Sequence, residues 1–255
     1  MIRLILMLRS GSSIEGFTIR YTGMNPDPDV EDRHYYIDIG NGSSNIGIDS
    51  CLIGRDGYVS GWSPSSSRYL ATVDHNDGGI HVGQDCSNIN ITSCKIRYLA
   101  GPGIGIETGS NDNITISGCH IYRNILPWYV RARANIISNE IYSNNVGIGG
   151  PNLTGTVGTE GTIYIEGNIL HHNSYAGIGL NIQSSTYFTG AEIVRNDSYS
   201  NGVGGRGAGI RIRYADGLKV RENRFHNNDR GIWLERIKNA EIDNNDVYQN
   251  QRGVL

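Results

Sequence analysis

The chain has 255 residues and a formal net charge of -3, so it offers no basic surface of the kind that binds nucleic acid. Glycine accounts for 35 residues and asparagine for 26, whereas proline accounts for 6 and phenylalanine for 3. This composition excludes collagen, coiled coils and generic disorder. Isoleucine-rich segments punctuated by Asn and Gly are instead typical of many short strands joined by tight turns.

The first predicted element is a strand at the amino terminus, residues 1–8 (MIRLILML). This segment lacks the small-residue cleavage site of a signal peptide, and no apolar run approaches the roughly 20 residues of a membrane-spanning helix. We therefore predict no membrane span, and no signal peptide is visible. Because the chain begins in strand-like sequence and ends at Gly253-Val254-Leu255, the start of another strand, we expect the domain to be incomplete at one or both ends.

A repeat organises most of the chain, with the consensus I-x-I-x-x-[C/N]-x-I-[Y/H]-x-N. We call its sixth position the anchor. The anchors are Cys51, Cys94, Cys119, Asn139, Asn168, Asn196, Asn223 and Asn245. From Cys119 onward a second asparagine follows each anchor by five residues, at Asn124, Asn144, Asn173, Asn201, Asn228 and Asn250. The anchors from Cys94 onward are 20 to 29 residues apart, which is typical of a solenoid.

A second motif, G-I-x-[I/V/L], precedes most anchors, for example at Ile80 to Val82 and at Ile210 to Ile212. Each repeat thus holds about three short strands with inward Ile, Val or Leu, and leaves no room for helices. The anchor asparagines of successive coils would stack about 4.8 Å apart as an asparagine ladder.

The segments 103–124 (GIGIETGSNDNITISGCHIYRN) and 209–228 (GIRIRYADGLKVRENRFHNN) resemble the right-handed parallel β-helix superfamily, the pectate-lyase-like proteins. The resemblance covers nearly the whole chain. It implies one all-β domain over 1–255, a single-stranded right-handed parallel β-helix of about eight to ten coils with three strands per coil. The superfamily includes polysaccharide lyases, uronan epimerases, glycoside hydrolases, phage tailspikes and non-enzymatic surface proteins, so function must be argued from side chains.

Three of the four cysteines occupy anchor positions. We expect Cys51, Cys94 and Cys119 to form a buried column of thiols rather than a metal site, because C-x-x-C spacing is absent. Parallel side chains fit the disulfide dihedral badly, so no disulfide is predicted, and Cys86 is placed in a turn. A Tyr or His stands three residues after each later anchor and is expected to face outward, at Tyr122, Tyr142, His171, Tyr199, His226 and Tyr248.

Four insertions exceed the minimal coil, at 20–35, 54–78, 150–161 and 181–190. The first two leave the corner after the anchor strand, and the last two leave directly after the G-I-x-I strand. The sheet of G-I-x-I strands is therefore expected to be walled on both sides, with its outward residues forming the floor of a groove.

The predicted floor combines glycine, charged and aromatic residues. Gly105, Gly149 and Gly179 would let a ligand approach the backbone closely. Arginine binds carboxylates in a bidentate manner, and tryptophan can stack on a pyranose ring, so an acidic sugar chain is the expected ligand. The substrate-binding candidates are Trp128, Tyr129, Arg133, Asn181, Arg213, Trp233 and Glu235. A plain exposed charge ladder is the alternative for Arg211, Arg213, Glu235 and Arg236.

Polysaccharide lyase or C5-epimerase chemistry is the activity that this floor favours. Both reactions remove the proton α to a uronate carboxylate, which requires a base and a cation that stabilises the resulting anion. His81 or His75 is the candidate base, Glu107 would orient the histidine, and Arg131 and Arg211 are the candidate cations. With coils about 4.8 Å apart, His81, Glu107 and Arg131 should lie within roughly 10 Å of each other.

Two alternatives remain open. The segment Asp74-His75-Asn76-Asp77 resembles the acidic-histidine motif of alginate epimerases. If Glu107 and Asp77 instead face each other across the groove, this carboxylate pair would favour glycoside hydrolysis. A non-catalytic β-helix, used for carbohydrate binding or as a phage or cell-surface fibre that trimerises through a flank, is the alternative from another class.

Calcium is the one cofactor that the sequence suggests. Asp27, Asp29, Glu31 and Asp32 offer hard oxygen ligands within the first insertion, although we favour a solvated Pro-bearing loop there. The expected partner is a polysaccharide substrate, with a homotrimer as the oligomer considered and no nucleic acid. An extracellular location is implied by the resemblance alone.

Overall fold

The computed structural model describes residues 6–20, 34–56, 77–99, 101–107, 109–124, 129–130, 134–150, 163–180, 187–202 and 207–254. Over these ranges the chain forms 29 β-strands and no helix, and hence no helix that could cross a membrane. The predicted insertions fall largely outside the described ranges.

The strands succeed one another in groups of three per coil. The first three coils hold β1 (Leu6–Leu8), β2 (Ser13–Glu15), β3 (Thr18–Arg20), β4 (His34–Ile39), β5 (Ser44–Asp49), β6 (Leu52–Gly54), β7 (Asp77–Val82), β8 (Ser87–Thr92) and β9 (Lys95–Arg97). The next three hold β10 (Ile104–Ile106), β11 (Asp112–Ser117), β12 (His120–Tyr122), β13 (Tyr129–Val130), β14 (Ala134–Ile137), β15 (Glu140–Tyr142), β16 (Val146–Gly149), β17 (Ile163–Glu166) and β18 (Ile169–His171). The remainder are β19 (Ala176–Leu180), β20 (Phe188–Thr189), β21 (Ala191–Val194), β22 (Asp197–Tyr199), β23 (Ala208–Asp216), β24 (Lys219–Arg221), β25 (Arg224–His226), β26 (Arg230–Lys238), β27 (Glu241–Asp243), β28 (Asp246–Tyr248) and β29 (Arg252–Val254).

Strands pair in parallel with their equivalents in the next coil, and this pairing lines three faces of the solenoid. The first face, which we call the first sheet, contains the G-I-x-I strands in two hydrogen-bonded runs, β1-β4-β7-β10-β13 and β16-β19-β23-β26-β29, and among the described residues no pairing joins β13 to β16. The second runs β2-β5-β8-β11-β14-β17-β21-β24-β27, and the third runs from β3 to β28 through the anchor strands. The structure confirms the predicted all-β parallel β-helix, with three strands per coil.

The core lies inside the coils and consists of stacked aliphatic side chains. Ile37, Ile80 and Ile104 are register partners in successive coils of the first sheet, and all three are at most 1% exposed. Each such isoleucine contributes about 1.5–3 kcal/mol by leaving water. The repeat therefore determines the fold, because the same apolar position recurs in every coil and is buried by its neighbours on both sides.

Asparagine side chains stack at two inner corners. At the anchor corner, Asn139 Nδ2 donates to Asn168 Oδ1 at 2.9 Å, and Asn168 Nδ2 donates to Asn196 Oδ1 at 2.9 Å. At the corner five residues later, Asn173 Nδ2 likewise donates to Asn201 Oδ1 at 2.9 Å. Asn168 Oδ1 also accepts from the backbone N–H of Asn139 at 2.9 Å, so these amides satisfy backbone groups that the sharp turn removes from the sheets.

The four cysteines are buried free thiols. Cys51, Cys94 and Cys119 continue the anchor column toward the amino terminus, as predicted. Cys86 stands at a different corner, where its backbone N–H donates to Asn111 Oδ1 at 2.6 Å. Burial raises the pKa of the Cys51 and Cys86 thiols, so both stay protonated at neutral pH.

The Tyr and His column forms one continuous stack of rings on the outer side of the third sheet. Neighbouring centroids are 4.8–5.1 Å apart and interplanar angles are 3–13°. The stacked rings are Tyr122, Tyr142, His171, Tyr199, His226 and Tyr248. Offset aromatic pairs contribute about 0.5–1.5 kcal/mol beyond area burial, so this column reinforces the stacking of the coils.

The residue before each anchor adopts a left-handed conformation. Gly118, Ser138 and Gly167 occupy this position in three successive coils, with φ of 61°, 54° and 63°. Glycine is suited to this region, whereas a side chain with a Cβ is strained there.

We expect Ser138→Gly to raise the free energy of unfolding by about 0.5 kcal/mol and Ser138→Val to lower it by about 1–2 kcal/mol. Ser138 is exposed, so no core packing changes with it. Urea denaturation of the two variants beside the parent checks this, and equal stability of Gly and Val at this position would contradict the assigned backbone conformation.

Candidate functional site

The outward residues of the first sheet form columns across the coils. In one column the register runs from Met7 to Asp38, His81, Gly105 and Tyr129 in successive coils. Outward alternation with buried Ile and Val places the side chains of Asp38 and His81 next to each other on the outer surface.

Asp38, His81 and Glu107 form a carboxylate–imidazole–carboxylate triad across three coils. His81 Nδ1 is 2.6 Å from Asp38 Oδ1, and His81 Nε2 is 3.6 Å from Glu107 Oε1. The three side chains are 19–31% exposed, so the triad is accessible from solvent yet partly desolvated. The predicted proximity of His81 and Glu107 is thus present.

The aromatic ring of Tyr35 fixes the plane of the imidazole. It stacks on His81 with a centroid distance of 4.7 Å and an interplanar angle of 23°. A methyl group at Gly78 would overlap this ring, and a Cβ at Gly105 would lie 3.1 Å from the tyrosine hydroxyl. Two glycines are therefore needed for the ring to lie against the sheet beside the histidine.

The contacts assign the protonation pattern of a neutral His81. A carboxylate only accepts hydrogen bonds, so the proton of the neutral imidazole lies on Nδ1, toward Asp38. Nε2 then carries the lone pair. Glu107 is too distant from Nε2 for a strong hydrogen bond but near enough to stabilise a positive charge on the ring.

A second polar cluster occupies the same face farther along the solenoid. Glu235 binds two guanidinium groups: Oε1 is 3.1 Å from Arg211 Nη2, and Oε2 is 2.9 Å from Arg213 Nε. Burial lowers the pKa of Arg211, Glu235 raises it, and the neighbouring cations Arg213 and Arg230 lower it further. The expectation of a plain exposed charge ladder is therefore wrong for Arg211, whose side chain is only 14% exposed.

Trp233 lies between two of these cations. The guanidinium carbons of Arg211 and Arg230 are each 3.7 Å from its ring centroid. Two guanidinium groups cannot occupy one face of a ring at that distance without overlapping, so they cover opposite faces. The expected stacking of Trp233 on a sugar ring is not compatible with this arrangement, and the tryptophan instead positions the two arginines.

The two clusters are five coils apart. The second sheet runs without interruption from β8, in the coil of His81, to β24, in the coil of Arg211. Five coil spacings amount to about 24 Å. Arg211 therefore cannot neutralise the carboxylate of a sugar whose α-proton His81 removes, which corrects its predicted catalytic role.

Several predicted residues lie outside the described ranges. They are His75, Trp128, Arg131, Arg133, Asn181 and the calcium candidates Asp27, Asp29, Glu31 and Asp32. The side chains of Asp77 and Tyr129 are likewise not described, although the backbone places both in the first sheet. Across the described ranges, no group of three His, Cys, Asp or Glu side chains is arranged to hold a metal ion.

Sequence reasoning missed Asp38, Tyr35 and Arg230. The sequence does indicate the position of Asp38, because Ile37-Asp38-Ile39-Gly40 aligns with Ile80-His81-Val82-Gly83 one coil later. It does not indicate the contact of Tyr35 with His81, since strict alternation with Ile37 assigns Tyr35 to the interior. Arg230 stands at the beginning of its strand, before the outward positions of the motif.

Comparisons with known proteins agree on the architecture. The family model described as "Right handed beta helix region" matches residues 125–255. No curated protein matches the chain. Among solved structures, the A-module of mannuronan C-5 epimerase AlgE4 from Azotobacter vinelandii is similar, with a TM-score of 0.53 and 13% identity over 98% of this chain and 83% of that one. The Dettilon tailspike protein is similar with a TM-score of 0.48 and 14% identity, over 94% of this chain and 46% of its own. At such identities the likeness concerns the fold alone.

Proposed function

The chain belongs to the right handed beta helix region family, and from this premise we propose that it is an enzyme that removes the proton α to a carboxylate in an anionic polysaccharide. The single observation that carries the proposal is the Asp38–His81–Glu107 triad on the outer face of the first sheet. The reaction classes that begin with this step are the polysaccharide lyases and the C5-epimerases of uronans.

The triad supports a general-base role for His81. Asp38 holds the imidazole so that Nε2 is unprotonated and accepts the C5 proton of a uronate. The imidazolium that results is stabilised by Asp38 on one side and by Glu107 on the other. Gly105 stands beside His81 in the next coil, and its lack of a side chain makes room there for the ring of Tyr35, which holds the imidazole in place.

The electrons of the broken C–H bond pass into the uronate carboxylate, and the resulting anion has two fates. In a lyase it expels the glycosidic oxygen at C4, which takes up a proton from solvent, and an unsaturated sugar remains. In an epimerase C5 takes up a solvent-derived proton from the opposite face, and in both cases His81 releases the abstracted proton to solvent. Either route requires a cation beside the carboxylate, and Arg131 remains our candidate for it.

The triad itself does not supply a carboxylate pair for hydrolysis. His81 lies between Asp38 and Glu107, so these two carboxylates cannot flank a glycosidic bond with a water molecule. Hydrolysis by Glu107 and Asp77 stays a prediction, because the side chain of Asp77 lies outside the described residues. The proposal of anionic substrates also draws support from the second cluster, where arginines face the same surface. A mannuronan epimerase module shares the fold, which makes uronans the first substrates to test.

The proposal is tested by incubating the protein with pectate, alginate and hyaluronan, with calcium and with a chelator. A lyase is expected to raise absorbance at the unsaturated-uronate band, and an epimerase is expected to change the C5 configuration in the NMR spectrum of the polymer. A rise in reducing ends without unsaturation would instead indicate a hydrolase. Binding of the polymer without any chemical change would favour a carbohydrate-binding role, the candidate that the arginine cluster also suits.

A further inference from the structure

Beyond the triad, the structure assigns a second binding site to this surface: we propose that Arg211, Arg213 and Arg230 form an anchor subsite, which holds a carboxylate-bearing sugar of the polyuronate chain five to six coils, about 24–29 Å, from His81. This inference rests on the proposed function for the class of ligand, and it adds that the substrate is a chain long enough to span both clusters.

The arginines are positioned before any ligand arrives. Trp233 separates Arg211 from Arg230, and Glu235 holds Arg211 and Arg213 through both of its oxygens. Guanidinium groups that are already ordered lose little side-chain entropy on binding, which is the main cost of capturing a ligand with long side chains.

The cluster is electrostatically incomplete. Arg230 is 11% exposed, and the nearest carboxylate oxygen, Asp229 Oδ2, is 3.9 Å from its Nε. Nε and Nη1 of Arg230 and Nε of Arg211 are buried without a hydrogen-bond acceptor among the described residues. Cations held this closely repel one another, and a bound carboxylate would relieve that repulsion.

The two clusters share one face of the solenoid. Gly149, Gly179, Arg211 and Trp233 are register partners in four successive coils, just as Asp38, His81 and Gly105 are in the earlier run. Gly149 and Gly179 add no side chain of their own to this face, although both are buried. The proposed sugar chain follows this common face from the triad to the arginines.

The distance between the triad and the anchor subsite favours long sugar chains over short ones as ligands. A single uronate or a disaccharide cannot contact His81 and Arg230 together, whereas a longer chain gains the anchor as a second, intramolecular contact. Affinity should consequently rise sharply once the extended length of an oligouronate reaches about 24–29 Å.

The test measures dissociation constants by calorimetry for oligogalacturonates and oligomannuronates of two to twelve sugar units. The variants are Arg230→Gln, Arg211→Lys, which keeps the charge but not the planar fork, and Arg195→Gln as a matched control in the turn after β21, away from the first sheet. We expect about a tenfold weaker affinity of Arg230→Gln for chains above the threshold length, and no change for Arg195→Gln. Circular dichroism checks that each variant is folded. If Arg230→Gln does not fold, the affinity of Arg211→Lys for long chains tests the subsite instead.

Equal affinity of the parent and the arginine variants for the longest chains would overturn the anchor subsite, as would affinity that does not depend on length. An affinity for dextran sulfate equal to that for long oligouronates would overturn the preference of the anchor subsite for carboxylates. These outcomes are distinct from failure of the proposed function, because a protein that binds long uronates but leaves the C5 proton in place keeps the anchor and loses the chemistry.

Discussion

His81→Gln is expected to lower kcat on a polyuronate by about 10²–10⁴-fold, the range that a positioned general base contributes. Glutamine retains the size and polarity of the side chain but cannot take a proton. Asp38→Asn is expected to reduce kcat as well, because an amide can donate to Nδ1 and so favours the tautomer in which Nε2 carries the proton. Initial rates at saturating substrate measure both effects.

His120→Gln is the matched control. His120 also contacts a carboxylate, with Nδ1 2.9 Å from Glu140 Oε2, but it lies on the third sheet, away from the proposed groove. Its replacement should leave kcat unchanged. If His81→Gln and His120→Gln have the same activity as the parent, His81 is not the base.

Asn168→Ala is expected to lower the free energy of unfolding by about 3 kcal/mol or more. Asn168 is fully buried, and its amide group bonds three residues of the two neighbouring coils. Its Oδ1 accepts from Asn139 N and Nδ2, both at 2.9 Å, while its Nδ2 donates to Ile136 O at 2.8 Å and to Asn196 Oδ1 at 2.9 Å. Alanine leaves several of these buried groups without a partner.

The protein itself shows which residue should have an intermediate effect at this position. Cys119 fills the same anchor position two coils earlier, where its Sγ is 3.4 Å from Ser117 O. Asn168→Cys should therefore cost less than Asn168→Ala, because the thiol fills the space and donates weakly. Asn145→Ala, at an exposed position, should be nearly neutral. Denaturant titration ranks the three variants, and an alanine variant as stable as the parent would refute the role of the anchor column.

The fold could be predicted because the information is repeated. Ile80, Ile104 and Ile210 each meet the same environment in their own coil, so an error at one repeat is corrected by the others. The spacing of the anchors predicted which residues become neighbours, and the contact of His81 with Glu107 followed from it. The repeat predicts the direction of a side chain wherever that residue follows the same inward and outward alternation as its equivalents in other coils.

The site could be predicted only in part, because the side chains that make its decisive contacts do not follow that alternation. The ring of Tyr35 reaches the outward side although alternation with Ile37 assigns it to the interior. Arg230 reaches Trp233 from the beginning of its strand, and the two faces of that ring are covered by guanidinium groups. Such side-chain directions depend on rotamers and on neighbouring glycines, which a one-dimensional pattern does not encode.

Proton exchange at C5 tests the central claim most directly. The protein is incubated with polymannuronate, polygalacturonate or hyaluronan in D₂O, with and without calcium, and the C5 proton signal is followed by ¹H NMR. The account predicts that the wild-type protein depletes this signal in at least one polymer, whether or not the chain is cleaved, and that His81→Gln does not. A C5 signal that persists with the wild-type protein in all three polymers would contradict proton abstraction by the Asp38–His81–Glu107 triad.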